Sequence, residues 1–152
     1  LKKSELARKR VAYLKFAARY GQYFYDLKSK WTPRGEVEVT APDHVYWKGE
    51  TFEKPLPNGR EVYVNLINFD KPYLYALLWD RTRKVPLSVD GIEVTVKLRP
   101  GEKVNAVYMA SPDRGGEPEC LVFKTENGRV SAISPQLKYW NLLVFQIAGG
   151  ML

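Results

Sequence analysis

The sequence is short of the side chains on which much protein chemistry depends: its 152 residues include one cysteine, Cys120, and one histidine, His44. A single cysteine excludes an intramolecular disulfide, and together the two residues are too few for zinc sites built from histidine or four thiolates. They also exclude most pairs of a nucleophile and a histidine base. The sequence predicts no metal and no cofactor, a small buried side chain at Cys120 and a structural role for His44.

Long hydrophobic runs are missing as well. No apolar stretch approaches the roughly 20 residues that a membrane-spanning helix needs, so no contact with a membrane is expected. The chain opens on Leu1 rather than Met, and no apolar leader follows. We therefore expect it to be a portion of a larger protein, although 17.5 kDa with 45% hydrophobic residues is enough for a core of its own.

Acidic residues are scarce in the first part of the chain. Residues 1–35 contain ten lysines and arginines against two acids, whereas the rest contains fourteen basic and fifteen acidic residues. The net charge of +7 therefore belongs to the first segment. Such a basic segment is compatible with nucleic-acid binding, which we keep as the most distant of three functional interpretations.

Residues 3–27 predict one long amphipathic helix, because they lack proline and repeat apolar side chains every three or four positions. The apolar face is centred on Tyr13, Ala17, Gly21 and Phe24. It would pack either on the β part of this chain or on another domain, and the start at Leu1 favours contact with another domain. Proline 33 and glycine 35 end the helical period. The sequence therefore divides into residues 1–34, a helix with its linker, and residues 35–152.

The second part predicts a mainly β domain, because nine prolines and nine glycines after Gly35 divide it into short segments. Asn127-Gly128 is a strong signal for a hairpin with a type I′ turn. We expect an antiparallel Greek-key β-sandwich, with an open barrel as the alternative. The predicted strands are 37–40, 45–47, 61–68, 73–79, 92–98, 104–109, 120–125, 130–134 and 142–147.

Aromatic residues are abundant, with four tryptophans, ten tyrosines and six phenylalanines. Most are needed to fill the core, but an exposed aromatic ring is also a platform for a sugar ring. Trp47, followed by lysine and glycine, is expected to be exposed. The candidates for carbohydrate contact are Trp47, Tyr46 and Tyr63, and no catalytic residue is predicted.

Four short motifs carry a resemblance to a known family. In chain order they are VNLIN at 64–68, LWDRT at 78–82, ASPD at 110–113 and PQLKYW at 135–140. Together they resemble the C-terminal region of glycoside hydrolase family 66, the dextranases and cycloisomaltooligosaccharide glucanotransferases. The resemblance implies that residues 1–34 are the end of a catalytic TIM-type barrel, whose last helix precedes the sandwich.

The resemblance also implies a function. The chain would be the accessory, stabilising C-terminal portion of an enzyme that acts on a dextran-like α-glucan, inactive by itself. Its partner would be the catalytic barrel of the same enzyme, with polysaccharide as a further partner, and such a parent enzyme could be secreted. The retaining pair of carboxyl groups that this chemistry needs would lie upstream of residue 1. A carbohydrate-binding module and nucleic-acid binding through the basic helix are the alternatives.

Overall fold

The computed structural model describes residues 3–25, 29–69 and 87–150. Within them the chain forms one α-helix, a short 3₁₀-helix and eleven strands. In chain order these are α1 (Lys3–Tyr25), β1 (Lys30–Trp31), β2 (Val37–Thr40), β3 (Val45–Tyr46), β4 (Thr51–Leu56), β5 (Gly59–Asn68), β6 (Ile92–Lys97), β7 (Glu102–Ala110), the 3₁₀-helix (Pro112–Arg114), β8 (Glu119–Cys120), β9 (Phe123–Glu126), β10 (Arg129–Ser134) and β11 (Trp140–Gly149). The predicted strand 73–79 lies outside the described residues.

The strands form two sheets in which every described pair is antiparallel. The larger sheet has the order β1-β4-β5-β11-β7-β8, with β3 also paired to β5, and the smaller has the order β2-β6-β10-β9. Buried residues of the two sheets share one core. The prediction of an antiparallel β-sandwich, rather than a barrel, is confirmed.

The smaller sheet shows the alternation expected of a sheet with one buried face. In β6, Ile92, Val94 and Val96 are buried, while Glu93 and Lys97 between and after them are exposed. Strand β10, beside it, repeats the pattern in register with β6. These side chains form the inner face of the sandwich.

The two central strands of the larger sheet are instead buried on both faces. Residues 62–66 of β5 and 141–145 of β11 are buried without a break. Alternate residues such as Val64 and Phe145 belong to the core between the sheets, whereas Tyr63 and Val144 belong to a second cluster that includes helix α1. The domain therefore has three layers: helix, large sheet and small sheet.

The turns follow the predicted chemistry. Asn127 and Gly128 have φ angles of 51° and 70° and connect β9 to β10, as a type I′ hairpin requires. A second hairpin joins β4 to β5 through Pro57 and Asn58, with Leu56 paired to Gly59.

The predicted strand 120–125 was wrong in its continuity, because the structure divides it into β8 and β9. Val122, between them, is 94% exposed. Cys120 is exposed rather than buried: among the described strands β8 has two residues, lies at the edge of the large sheet and pairs with β7 alone. The sequence also left out β4, and the two residues of β1 fall inside the segment that it assigned to the linker.

Candidate functional site

Helix α1 covers the outer face of the large sheet with a row of aromatic side chains. Phe16 and Tyr20 are almost fully buried there. The ring centroid of Phe16 lies 4.7 Å from that of Trp140 in an edge-on arrangement, and the centroid of Tyr23 lies 4.8 Å from that of Tyr63. Aromatic pairs at these distances add stabilisation beyond the area they bury. We call this the inner face of the helix.

A hydrogen-bonded junction centred on Asp113 attaches the helix to the sandwich. The hydroxyl of Tyr13 donates to Oδ1 of Asp113 at 2.8 Å, and Oδ2 accepts from the backbone N–H groups of Tyr139 and Trp140 at 3.1 and 3.2 Å. The hydroxyl of Ser111 donates to the carbonyl oxygen of Trp140 at 2.6 Å. One carboxylate thus joins α1, the 3₁₀-helix and the start of β11.

The motifs that carry the family resemblance meet around this junction. Nε1 of Trp140 donates to Oδ1 of Asn65 at 2.9 Å, and Nδ2 of Asn65 donates to the carbonyl oxygen of Glu50 at 3.1 Å. Nδ2 of Asn68 donates at 2.9 Å to the carbonyl oxygen of Lys138. Three of the four motifs are therefore one buried polar network, and the fourth, 78–82, lies outside the described residues. The sequence identified these residues, but it could not predict that they meet, since they are up to 75 positions apart.

The loop after the 3₁₀-helix provides a second attachment. The hydroxyl of Tyr20 donates to the carbonyl oxygen of Gly116 at 2.8 Å, and burial raises the pKa of this phenol. Arg19 donates to Glu117 at 2.7 Å, and this hydrogen bond lowers the pKa of the exposed carboxyl group. Exposed ion pairs stabilise little, so Tyr20 is the more important of the two contacts.

The opposite side of α1 carries a second apolar row, which the described part of the chain leaves uncovered. Ala7, Val11, Leu14 and Ala18 are exposed, Leu14 to 69%, and Gly21 follows on the same side. Their separations alternate between four and three residues, the spacing of a helix–helix contact. We call these five residues the outer stripe.

Basic side chains flank the outer stripe. Arg8, Arg10 and Lys15 are exposed, and within the described chain no carboxylate pairs with them. The described part of the helix therefore presents an apolar strip bordered by positive charge.

The predicted interface residues are divided between the two faces. Tyr13 lies at the edge of the inner face, next to Asp113, whereas Ala17 is exposed. Gly21 has no described atom within 4 Å of the position a Cβ would occupy, so the described part of the chain does not make the close approach expected there. The side chain of Phe24 lies outside the described residues. Sequence reasoning omitted Phe16, Tyr20 and Tyr23 from the face, although their three- and four-residue spacing was visible.

The three carbohydrate-contact candidates lie in different environments. Tyr63 is fully buried under the helix with its hydroxyl donating to Glu61, so in this structure it presents no surface to a sugar. Burial and this bond raise its pKa. Tyr46 is exposed, and Trp47 is half-buried against the sandwich core. Tyr46 packs edge-on against Phe69, Trp47 packs against the core between the sheets and Tyr63 lies in the cluster under the helix, so the structure does not bring the three rings together.

A cluster of buried ions closes one end of the sandwich. Arg60 is 3% exposed and bonds to Glu36, Glu53 and Glu102, while Arg99 bonds to Glu36 and Glu53. Burial alone would raise the pKa of Glu53, but hydrogen bonds from Arg60 and Lys30 hold it below its ordinary value. These carboxylates therefore have structural hydrogen-bond partners within the domain.

Two further features bear on function. Among residues 3–25, 29–69 and 87–150, no three histidine, cysteine or acidic side chains are grouped so that they could hold a metal ion. In the same part of the chain no helix is both long enough and apolar enough to cross a membrane.

Comparison with known proteins decides the family. The sequence profile of glycosyl hydrolase family 66 matches residues 2–144. The chain belongs to glycosyl hydrolase family 66. No curated protein matches the sequence significantly.

A solved structure of a glucanotransferase has the same fold. The chain is similar to a cycloisomaltooligosaccharide glucanotransferase from Paenibacillus sp., crystallised with cycloisomaltoheptaose, with a TM-score of 0.66 and 21% identity; the match covers 93% of this chain and 21% of that one. It also matches alpha-L-fucosidase isoenzyme 2 from Paenibacillus thiaminolyticus, with a TM-score of 0.47 and 21% identity over 73% of this chain and 15% of that one. The family 66 chain thus spans about a fifth of the glucanotransferase.

Proposed function

We propose that this chain is the C-terminal accessory portion of a family 66 enzyme that acts on an α-glucan, and that it stabilises the catalytic domain without being catalytic alone. The observation that carries the proposal is the two-faced helix α1: its inner face is sealed against the sandwich, while its outer stripe has no cover within the described chain. In this proposal residues 1–34 belong with the catalytic barrel, and residues 35–152 form the sandwich domain.

The chemistry of the outer stripe defines the surface that it would meet. Small residues such as Ala7, Ala18 and Gly21 let a second helix approach closely, and Leu14 then becomes buried, which contributes about 1.5–3 kcal/mol. The flanking Arg8 and Lys15 favour carboxylates on the facing surface. We infer a partner helix with an apolar seam bordered by acidic residues.

Two further observations support the accessory role. The chain matches only a fifth of the glucanotransferase, which leaves most of an enzyme of that kind outside this sequence. The buried carboxylates Glu53 and Glu102 are bound by Arg60, and Asp113 is bound by backbone N–H groups and Tyr13. The α-glucan assignment comes from the family resemblance and from the cycloisomaltoheptaose bound by the glucanotransferase.

Leu14→Glu tests the docking of the outer stripe. Leu14 is exposed in this chain, so the substitution should change the unfolding free energy of the isolated 152-residue chain by no more than about 0.5 kcal/mol. In the longer enzyme the same carboxylate is buried against the catalytic domain. The longer enzyme should therefore lose at least about 2 kcal/mol and inactivate at a lower temperature.

Val122→Glu is the matched control, because Val122 is even more exposed and lies far from the helix in sequence, on the loop between β8 and β9. It should leave both proteins unchanged. Equal effects of the two substitutions on the longer enzyme would contradict docking through the outer stripe. A native protein whose intact mass equals that of these 152 residues would contradict the accessory role itself.

A further inference from the structure

A surface groove of about 540 Å³ lies where strand β1, the turn at 33–35 and the turn at 47–49 meet. Two indoles line it: Trp31, which is 73% exposed, and Trp47, which is half-buried. Buried Val37 and Thr51 lie deeper among the lining residues. The groove is within the volume range of small-ligand sites, and sequence reasoning did not include Trp31 among the binding candidates.

The backbone on both sides of the groove is held in place. Trp31 pairs with Phe52 across β1 and β4, the N–H of Thr32 donates to the carbonyl oxygen of Thr51 at 3.2 Å, and the two threonine hydroxyls are 2.8 Å apart. An indole that is exposed while its backbone is fixed loses little conformational freedom when a ligand stacks on it.

The other side is built around Gly49. A Cβ at this position would lie 2.4 Å from the hydroxyl oxygen of Tyr46, so the Tyr46 ring closes against the glycine. The N–H of Glu50 donates to the carbonyl oxygen of Trp47 at 2.9 Å and closes the turn. Trp47 is thus presented by a tight turn rather than by a loose loop.

The polar groups of the groove are hydrogen-bond donors without an opposing acid. Arg34 and Lys48 are exposed on its rim, and none of the described residues that line it carries a carboxylate. Flat apolar faces suit the C–H faces of a sugar ring, and the cationic N–H groups of Arg34 and Lys48 at the rim suit its oxygens.

We propose that the groove between Trp31 and Trp47 binds a segment of a neutral α-glucan, with Trp31 as the stacking platform. The identification of the polymer as an α-glucan rests on the proposed function, whereas the description of the groove does not depend on it. Such a site would hold the accessory domain on the polymer while the catalytic domain acts on it.

The test is electrophoresis of the 152-residue chain in native gels that contain dextran, dextran sulfate, a β-linked neutral glucan or no polymer. Dextran should retard the chain, and Trp31→Ala and Trp47→Ala should each weaken the apparent affinity about tenfold. Trp31→Phe, which keeps an aromatic face, should restore most of the affinity. Val122→Ala, which removes an exposed apolar side chain elsewhere, should change nothing, and thermal melting should show that Trp31→Ala is folded.

Each contrary result overturns the proposal. Absence of retardation by dextran, or retardation that survives both tryptophan substitutions, shows that the groove does not bind this polymer. Retardation by dextran sulfate alone, lost in Arg34→Gln and Lys48→Gln, identifies an anion-binding groove instead. If Trp31→Ala destabilises the longer enzyme without affecting retardation, the groove is part of the interdomain contact. The docking proposal is tested separately by Leu14→Glu, so either can fail alone.

Discussion

Arg60→Met should be the most destabilising charge substitution in the sandwich. All five N–H donors of Arg60 are used: Nε to Glu102 at 2.8 Å, one terminal nitrogen to Glu36 and Glu53 at 2.7 and 2.8 Å, and the other to Glu102 and the carbonyl oxygen of Lys97, both at 3.0 Å. Methionine keeps much of the side-chain volume but none of the donors. The buried carboxylates Glu53 and Glu102 then lose their main partner.

The loss of stability depends on the partners that the two carboxylates keep. Removing one partner of a buried ion pair costs about 3–5 kcal/mol. Glu53 keeps Lys30 at 3.1 Å and Arg99 at 2.8 Å, and Glu102 keeps the backbone N–H of Arg99 at 2.8 Å. We therefore expect the lower end, about 3 kcal/mol, which for a domain of this size lowers the melting temperature by about 6–12 °C.

Urea unfolding at several pH values measures the effect. The folded-state pKa of Glu53 is held below the ordinary value of 4.5, so its stabilising contribution is complete above that value and is lost as the pH falls through the folded-state pKa. In Arg60→Met the carboxylate of Glu53 loses the hydrogen bond from Arg60 that lowers its pKa, and it is protonated more readily. The difference in unfolding free energy between variant and wild type should become smaller as the pH falls from 7 to 4.

The control is Arg129→Met, because Arg129 pairs with Glu38 at 2.9 Å where both side chains are about half exposed. It should cost no more than about 1 kcal/mol. The reasoning is refuted if Arg60→Met costs as little as this control, or if its cost does not shrink in acid.

Two further substitutions test the junction and the hairpin. Asp113→Asn replaces charge-assisted bonds to Tyr13 and to two backbone N–H groups, and should lower the unfolding free energy by about 2 kcal/mol in urea; a change under 0.5 kcal/mol would refute the role of the carboxylate. Gly59→Ala places a Cβ 2.0 Å from the backbone oxygen of Ile147 at a φ of +154°, and should cost well over 2 kcal/mol, whereas Gly91→Ala, with a φ of +66° and open space, should cost about 1 kcal/mol. Equal melting temperatures for the two alanine variants would contradict the steric argument.

The sandwich could be predicted from the sequence wherever the signal is local. Alternation in Ile92–Lys97 reports one buried face, and Asn127 with Gly128 accepts the positive φ angles of the hairpin. Strand β4 was missed because Glu53 is a charged residue within it. That carboxylate is buried only because Arg60 and Lys30 lie opposite, and no pattern inside Thr51–Leu56 reveals those partners.

The motifs could likewise be recognised from the sequence, whereas the contacts between them could not. The resemblance located Asn65, Asp113 and Trp140 as separate signals along the chain. Each is a polar or amphipathic residue beside an apolar strand, and such a residue needs a hydrogen-bond partner once it is buried. Which partner it finds depends on the order of β5, β11 and β7 in the sheet, which the sequence does not state. The sequence therefore predicts that these residues have hydrogen-bond partners, but it does not predict which partners they have.

The orientation of helix α1 is the clearest case of this limit, and it also shapes the function. Leu14 and Phe16 are two residues apart, which places them about 200° apart around the helix. The single face predicted through Tyr13, Ala17 and Gly21 therefore lies between the inner face and the outer stripe. The large aromatic residues face the sheet, where Trp140 and Tyr63 leave a layer deep enough for rings, and the small residues face outward, where only a close neighbour could cover them. A helix that needed one partner would keep its outer side polar. The outer stripe, which the described residues leave uncovered, is thus the feature that the catalytic domain of our proposal would cover.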